Sequence, residues 1–325
     1  MSTTSVNTPP TKRPASIEAV KLGLEATGYV CSKAIATTVY LSCHMNKPIL
    51  IEGPAGVGKT DLARSMAAFM DLPLIRLQCY EGLDESKALY EWKYGKQLLY
   101  TQMLKDRVDE ILEGAVGLEE SMRRLHLYDD IFFSMQFLEP RPLLQALQRE
   151  EGAVLLIDEV DKSDQEFEAF LLEVLSDFQV SIPEIGTVSA VSKPIVFLTS
   201  NNTRELGEAL RRRCLYLFIP FPDPDLEKEI IRSRVPGASE RLRVQLVSFI
   251  QQVRRMDLRK APSVSEAIDW ARVLLLLHAE ELSEPFIRET LNTFLKFEED
   301  IKAVRGRIGE IMAKTAPPAS RLGAS

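Results

Sequence analysis

At 325 residues, 45% of them hydrophobic, the chain can bury two cores, since domains commonly run to about 100–200 residues. Its formal charge of −7 is the wrong sign for a nucleic-acid footprint, and no apolar run approaches the roughly 20 residues that span a bilayer. Cys31, Cys43, Cys79 and Cys214 form no CxxC pair, and His44, His126 and His278 are scattered, so reduced thiols of a cytoplasmic protein are expected rather than disulfides or zinc.

Residues 1–27 read as a Ser/Thr/Pro-rich tail without a signal-peptide core, followed by a lead-in helix. The apolar run Pro48-Ile-Leu-Ile51 then leads into Gly53-Pro54-Ala55-Gly56-Val57-Gly58-Lys59-Thr60, and a helical stretch opens at Asp61. This is a Walker A loop in its strand, loop, helix setting. Only glycines let a backbone wrap a phosphate chain closely enough for several N–H groups to converge on it. The new helix points its N-terminal dipole at the anion. Lys59 is expected to reach the β- and γ-phosphates, and the Thr60 hydroxyl to ligate Mg²⁺.

Further buried strands are expected at 74–77, 154–157, 195–199 and 215–219, each separated from the next by helical sequence, the pattern of a parallel sheet with crossover helices. Tyr80, Tyr90, Trp92, Tyr94 and Tyr100 crowd one short segment, as a grip for a protein client or as ordinary packing. An insert over about 101–139 places Val108, Ile111, Leu112, Ala115, Leu118, Met122 and Leu125 on one helix face. A second, over 178–191, alternates apolar residues on both sides of Pro183-Glu-Ile-Gly186 and reads as a β-hairpin.

Val154-Leu-Leu-Ile-Asp158-Glu159 ends a buried strand in two acids, the Walker B arrangement. Asp158 can hold Mg²⁺ through its water shell and Glu159 can polarise an attacking water. The strand at 195–199 ends in amides, and Asn201 is placed to orient that water, although asparagine is also a common turn residue. Leu210-Arg211-Arg212-Arg213-Cys214 puts three arginines before the last strand. They are a solvated cluster or an arginine finger acting on a neighbouring subunit, with Arg213 ahead of Arg212 because it abuts the strand. The prolines of Phe221-Pro-Asp-Pro-Asp225 mark a seam, after which 223–312 reads as a helical domain and 313–325 as a disordered tail. Ser263 and Glu266 read as a capping box.

Taken in order, these segments resemble the MoxR group of AAA+ ATPases from about residue 28 to about residue 276. The resemblance rests on 53–60, 154–159, the hairpin 178–191, Thr199-Ser-Asn201 and 210–215. Leu77-Gln-Cys-Tyr-Glu-Gly-Leu83 and Leu89-Tyr-Glu-Trp-Lys-Tyr94 look like the branch that includes CoxD-type proteins. The resemblance implies an α/β P-loop AAA+ core over 28–222, with a parallel sheet and the hairpin insert, followed by a small all-helical lid over 223–312. It further implies a homo-oligomer, a hexameric ring that hydrolyses ATP with Mg²⁺ to ADP and phosphate. Such rings remodel or mature a protein client with a von Willebrand factor A (VWA) domain partner, often in metal-cofactor insertion. Tyr29 and Val30 match the family segment beside the adenine, and Tyr29 equally suits ordinary packing. The family's sensor 2 arginine is missing from the start of the lid helix; Arg259 and Lys260 lie just upstream and are the candidates to contact the γ-phosphate in its place. Two other readings remain, a DNA-handling AAA+ motor of the helicase-loader kind and a monomeric P-loop kinase. The first needs a basic surface, and the second has no use for residues 211–213 or a lid.

Overall fold

The computed structural model describes residues 13–105, 117, 120, 134–183 and 185–315. The helix face expected over 108–125 lies outside the described residues, as do residues 1–12 and 316–325 of the two tails.

In chain order the elements are α1 Ile17–Ala26, α2 Lys33–Met45, β1 Ile49–Glu52, α3 Lys59–Met70, β2 Leu74–Gln78, α4 Glu85–Leu89, β3 Tyr90–Trp92, α5 Tyr94–Lys105, β4 Leu138–Pro140, α6 Pro142–Gln148 and β5 Val154–Asp158. There follow α7 Gln165–Asp177, β6 Gln179–Ile182, β7 Gly186–Ser189, β8 Ile195–Ser200, α8 Glu208–Arg213 and β9 Leu215–Phe218. The chain ends in α9 Pro224–Arg234, α10 Glu240–Arg254, α11 Val264–Leu276, α12 Glu284–Phe294, α13 Glu298–Arg305 and α14 Ile308–Thr315.

The fold is the expected α/β one, with one five-stranded sheet in the order β2-β5-β8-β1-β9 and helices at the C-terminal end. β2 runs parallel to β5 and β5 to β8. Every residue of β1, β5 and β8 is buried, which is why these strands read as unbroken apolar runs. The register sets Gln78 opposite Asp158 and Ile157 opposite Leu198, so the polar ends of three neighbouring strands fall side by side. The hairpin forms as β6 against β7, with Val180 opposite Val188.

A second small ribbon, β3 against antiparallel β4, is not legible in the sequence because each strand has only three residues. It divides the aromatic segment. Tyr90 and Trp92 stack edge-to-face at 5.7 Å and pack on the apolar core, and Tyr100 meets Phe137 in the same way at 5.2 Å. Tyr80 and Tyr94 are exposed.

The chain forms two compact units, each with its own core. One comprises Thr38–Leu50 and Met70–Tyr216 with the segment ending at Pro14, and its core includes Leu77, Leu89, Leu143, Ile157 and Leu198. The other comprises Ala15–Thr37, Ile51–Phe69 and the chain from Leu217 on, so the glycine-rich loop belongs with the C-terminal helices. At the centre of this second unit Trp270 lies 4.4 Å from Phe294, and its indole N–H donates to Thr290 Oγ1 at 2.7 Å. That bond satisfies the one polar atom of a wholly buried ring.

The second unit also buries a charge pair. Glu227, with no solvent exposure, accepts from Arg254 Nη1 at 2.8 Å and Nη2 at 2.6 Å, and from Gln251 Nε2 at 2.8 Å. Arg254 Nε donates to Pro262 O, just before α11. Removing one partner strands the other charge without water, so Glu227→Ala is expected to lower stability by about 3–5 kcal/mol in urea denaturation.

Candidate functional site

In the second unit the loop 53–58 joins β1 to α3, and two of its glycines hold conformations closed to other residues. Gly53 has φ +150°, and a Cβ there would collide with the Ile219 carbonyl. Gly56 has φ +72°, and a Cβ would lie 2.6 Å from Ser263 Cβ. The cradle is therefore shaped by backbone alone. Lys59 is buried, and its ammonium donates to the carbonyls of Gly53 at 2.7 Å and Pro54 at 2.8 Å. Thr60 and Asp61 follow in the first turn of α3, where Asp61 forms an ion pair with Arg234 at the end of α9. Pro54 and Ala55 form the crown of the loop, and Val57 is buried beneath it.

Tyr29 is brought to this loop as well. A Cβ at Gly58 would lie 3.6 Å from its ring, and Val30 is half-buried beside it. Burial holds the Tyr29 phenol well above its ordinary pKa, with the nearby Cys31 and Asp61 adding to the effect. Arg259 goes elsewhere. Its guanidinium covers the Phe297 ring at 4.2 Å, and its backbone N–H donates to Asp300. Lys260 pairs with Glu266 at 3.0 Å. From the start of α11 Ser265 bonds the loop: its N–H and hydroxyl both donate to Gly56 O, at 3.1 and 3.2 Å.

In the first unit the acids at the end of β5 are held by neighbouring strands. Asp158 Oδ2 accepts from Arg76 Nε at 3.0 Å and Nη2 at 2.6 Å, while Oδ1 accepts from the Thr199 hydroxyl at 2.5 Å. Glu159 sits in the left-handed region at φ +56°, and its N–H donates to Thr199 Oγ1 at 2.9 Å. Glu159 Oε2 accepts from Gln78 Nε2 at 2.8 Å and Lys162 Nζ at 2.6 Å. Among the described residues, Oε1 accepts only from Asn201 Nδ2, at 3.3 Å. A carboxylate oxygen has two lone pairs, so Oε1 keeps one acceptor site for a water. The structure thus brings Glu159 and Asn201 together.

The three arginines of α8 differ in their engagements. Arg211 lies over the Tyr216 ring at 5.5 Å, and Arg212 pairs with Glu208 one turn back. The exposed Arg213 guanidinium forms no ion pair or hydrogen bond among the described residues.

Sequence reading does not pick out Arg76, Gln78, Lys162 or Asp161 as site residues. Arg76 and Gln78 reach the acids only through the pairing of β2 with β5, a contact more than 80 residues apart in sequence. Asp161 is buried and fixes the Asn201 loop by accepting from the N–H groups of Asn201 at 3.3 Å and Thr203 at 2.9 Å and from the Thr203 hydroxyl at 2.6 Å. Nearby Cys79 is a packing thiol. Burial, reinforced by Asp158, Asp161 and Glu159, pushes it up to about 12, far from a reactive thiolate. Among the described residues no helix is long and apolar enough to cross a membrane.

A family model described as AAA domain (dynein-related subfamily) matches residues 48–214. A protein of Staphylococcus epidermidis is 26% identical over 263 residues, covering 79% of this chain and 86% of its own length. One of Staphylococcus haemolyticus is 23% identical over 277 residues, covering 82% and 90%. Both are described as uncharacterized proteins. Among solved structures, a RuvB mutant of Thermotoga maritima covers 96% of this chain and 88% of its own at 17% identity, with a TM-score of 0.48. Domain III of the replication initiation protein DnaA from the same organism covers 85% and 98% at 15% identity, with a TM-score of 0.45.

Burial raises the Asp161 carboxyl, but the hydrogen bonds from Thr203 and Asn201 outweigh it and hold the group below its ordinary range. A depressed folded pKa stabilises above the unfolded value and is lost as pH falls through it. Asp161→Asn is therefore expected to cost about 1–3 kcal/mol near neutral pH. The gap between variant and wild type should narrow once pH drops below the unfolded carboxylate value of about 3.9. Chemical denaturation on both sides of that value checks the sign.

Proposed function

The chain belongs to the dynein-related subfamily of AAA domains, an AAA+ nucleotide-binding fold, and from that premise we propose that it hydrolyses ATP as a MoxR-type ring motor. Its turnover would remodel or mature a protein client, with a VWA-domain partner, in the service of metalloenzyme cofactor insertion. The observation that carries the catalytic part of this reading is the set of donors converging on Glu159. Gln78 and Lys162 occupy one carboxylate oxygen, and Asn201 shares the other with the remaining lone pair. That arrangement suits a general base that must accept a proton from one water in one direction.

The loop fits a triphosphate because its shape depends on glycine at 53 and 56, and because the Lys59 ammonium is held at the loop by the carbonyls of Gly53 and Pro54. A polyphosphate would draw the ammonium from two neutral acceptors to charged ones, which form stronger hydrogen bonds. Tyr29 and Val30 would flank the base. On this reading Mg²⁺ would take oxygen ligands of the kind that the Thr60 hydroxyl and, through water, the Asp158 carboxylate supply. When bound, Mg²⁺ would neutralise charge on the β- and γ-phosphate oxygens. Asn201 would hold the lytic water on line with Glu159. Arg213, whose guanidinium has no ion pair or hydrogen bond among the described residues, would act on the nucleotide of the adjoining subunit, and Arg212 would need to leave Glu208 to do so. Arg259, occupied with Phe297, would contribute to lid packing rather than to phosphate contact.

Lys59→Ala should abolish nucleotide binding, whereas Glu159→Gln should bind ATP and fail to turn it over. Wild-type turnover by Glu159→Gln, read as phosphate release, would remove Glu159 from the base role.

Arg213→Ala should bind ATP normally and lose turnover by a factor on the order of 10³. Mixing it with excess Lys59→Ala protein should restore part of the activity, because a mixed ring pairs an intact Lys59 site with an intact Arg213. If exchange of subunits is demonstrated and no mixture recovers activity, Arg213 does not act in trans.

A further inference from the structure

The start of α11 is built to leave one donor for the phosphate loop. Its capping box is complete: Ser263 Oγ accepts from Glu266 N–H at 3.2 Å, and Glu266 Oε2 accepts from Ser263 N–H at 2.7 Å. The Ser265 N–H, one of the first-turn donors with no partner inside its helix, goes to Gly56 O, and the Ser265 hydroxyl goes to the same oxygen. Two further contacts hold the helix start in place. Arg254 Nε donates to Pro262 O at 2.8 Å, and Lys260 bonds Glu266 Oε1 at 3.0 Å.

Gly56 O belongs to the peptide group that carries the Val57 N–H. In a planar trans peptide the carbonyl and the following N–H point in opposite directions, so fixing one fixes the other. Glycine on the left-handed side makes this peptide easy to flip, and Gly58, at φ +97°, leaves the next linkage equally free. A flip would turn a carbonyl oxygen toward the anion where an N–H is needed. We propose that Ser265 is a positioning residue that locks the peptide between Gly56 and Val57 with its N–H facing the nucleotide, so that the lid helix sets nucleotide affinity through the loop backbone. The proposal rests on the reading of residues 53–60 as an ATP site. By linkage the effect is reciprocal, and nucleotide binding also strengthens docking of α11 on the loop.

A lock on the loop differs from a side chain that reads the γ-phosphate. ATP and ADP use the same loop N–H groups, so loosening the lock weakens both alike and raises KM without lowering kcat. A γ-phosphate reader would weaken ATP selectively and reduce kcat. The test titrates the full-length protein with fluorescent ATP and ADP analogues and follows steady-state turnover, for wild type, Ser265→Ala and Ser239→Ala. Ser239 caps α10 in the same unit, accepting from Leu242 N–H at 3.1 Å, and its hydroxyl donates to Glu280 O rather than to the loop. Ser265→Ala removes one neutral hydrogen bond and should weaken both nucleotides by about two- to tenfold. KM should rise in step with kcat unchanged, and Ser239→Ala should match wild type. Unchanged ADP affinity in Ser265→Ala, a loss confined to ATP, or an equal loss in Ser239→Ala would each overturn the lock. Failure of wild type itself to bind nucleotide would overturn the ATP-site reading beneath it, an outcome visible before any variant is compared.

Discussion

A loop that offers its N–H groups to an anion turns its carbonyls outward, and each of those carbonyls then needs a donor of its own. This constraint organises the second unit. Lys59 serves Gly53 O and Pro54 O from within the loop, and Ser265 serves Gly56 O from α11. The helices behind the loop then have to keep Ser265 in place. The capping box, the Arg254 bond to Pro262 O and the buried Glu227–Arg254 pair converge on that position. A charge pair with no exposure on its carboxylate is an uneconomical way to gain stability, since an apolar pair of equal volume often serves better. As a fixed point for Arg254, it has a use that an apolar pair would lack.

The first unit meets the opposite problem, in which acids rather than carbonyls must be supplied with donors. Asp158, Glu159 and Asp161 lie within four consecutive residues, and each takes at least one donor from an element distant in sequence: β2, β8 or the Asn201 loop. Parallel pairing makes this possible, because it lines up the carboxyl ends of neighbouring strands at one edge of the sheet.

Much of this was open to sequence reading wherever a local rule applies. Glycines at 53, 56 and 58, apolar runs ending in acids or amides, and the Pro183–Gly186 turn signal depend on neighbours a few residues away. The register of β2 against β5 does not, so Gln78 reads as an ordinary polar strand end until Asp158 is opposite it. Ser263 and Glu266 were legible as a cap, yet nothing local says which group the next serine faces. Arg259 is a candidate cation for this place by sequence, and the ring of Phe297, nearly forty residues on, holds that side chain instead. Strands of three residues, such as β3 and β4, carry too short an alternation to be seen.

Glu159 pays a local cost for its position, since a non-glycine residue in the left-handed region is strained by about 1–3 kcal/mol. The strain is tolerated because Thr199 makes the conformation specific. Its single hydroxyl accepts the Glu159 N–H and donates its proton to Asp158 Oδ1. One oxygen thereby fixes the backbone of the second acid and the side chain of the first. A valine would fill the same volume but leave a buried N–H and a carboxylate oxygen without this partner. The turn at Glu159 sends its side chain back toward Gln78 and Asn201, which hold the carboxylate between two strands. The backbone strain and the side-chain network therefore describe one constraint: the acid following Asp158 is kept from continuing the strand so that its carboxylate can face the amide at the end of the next.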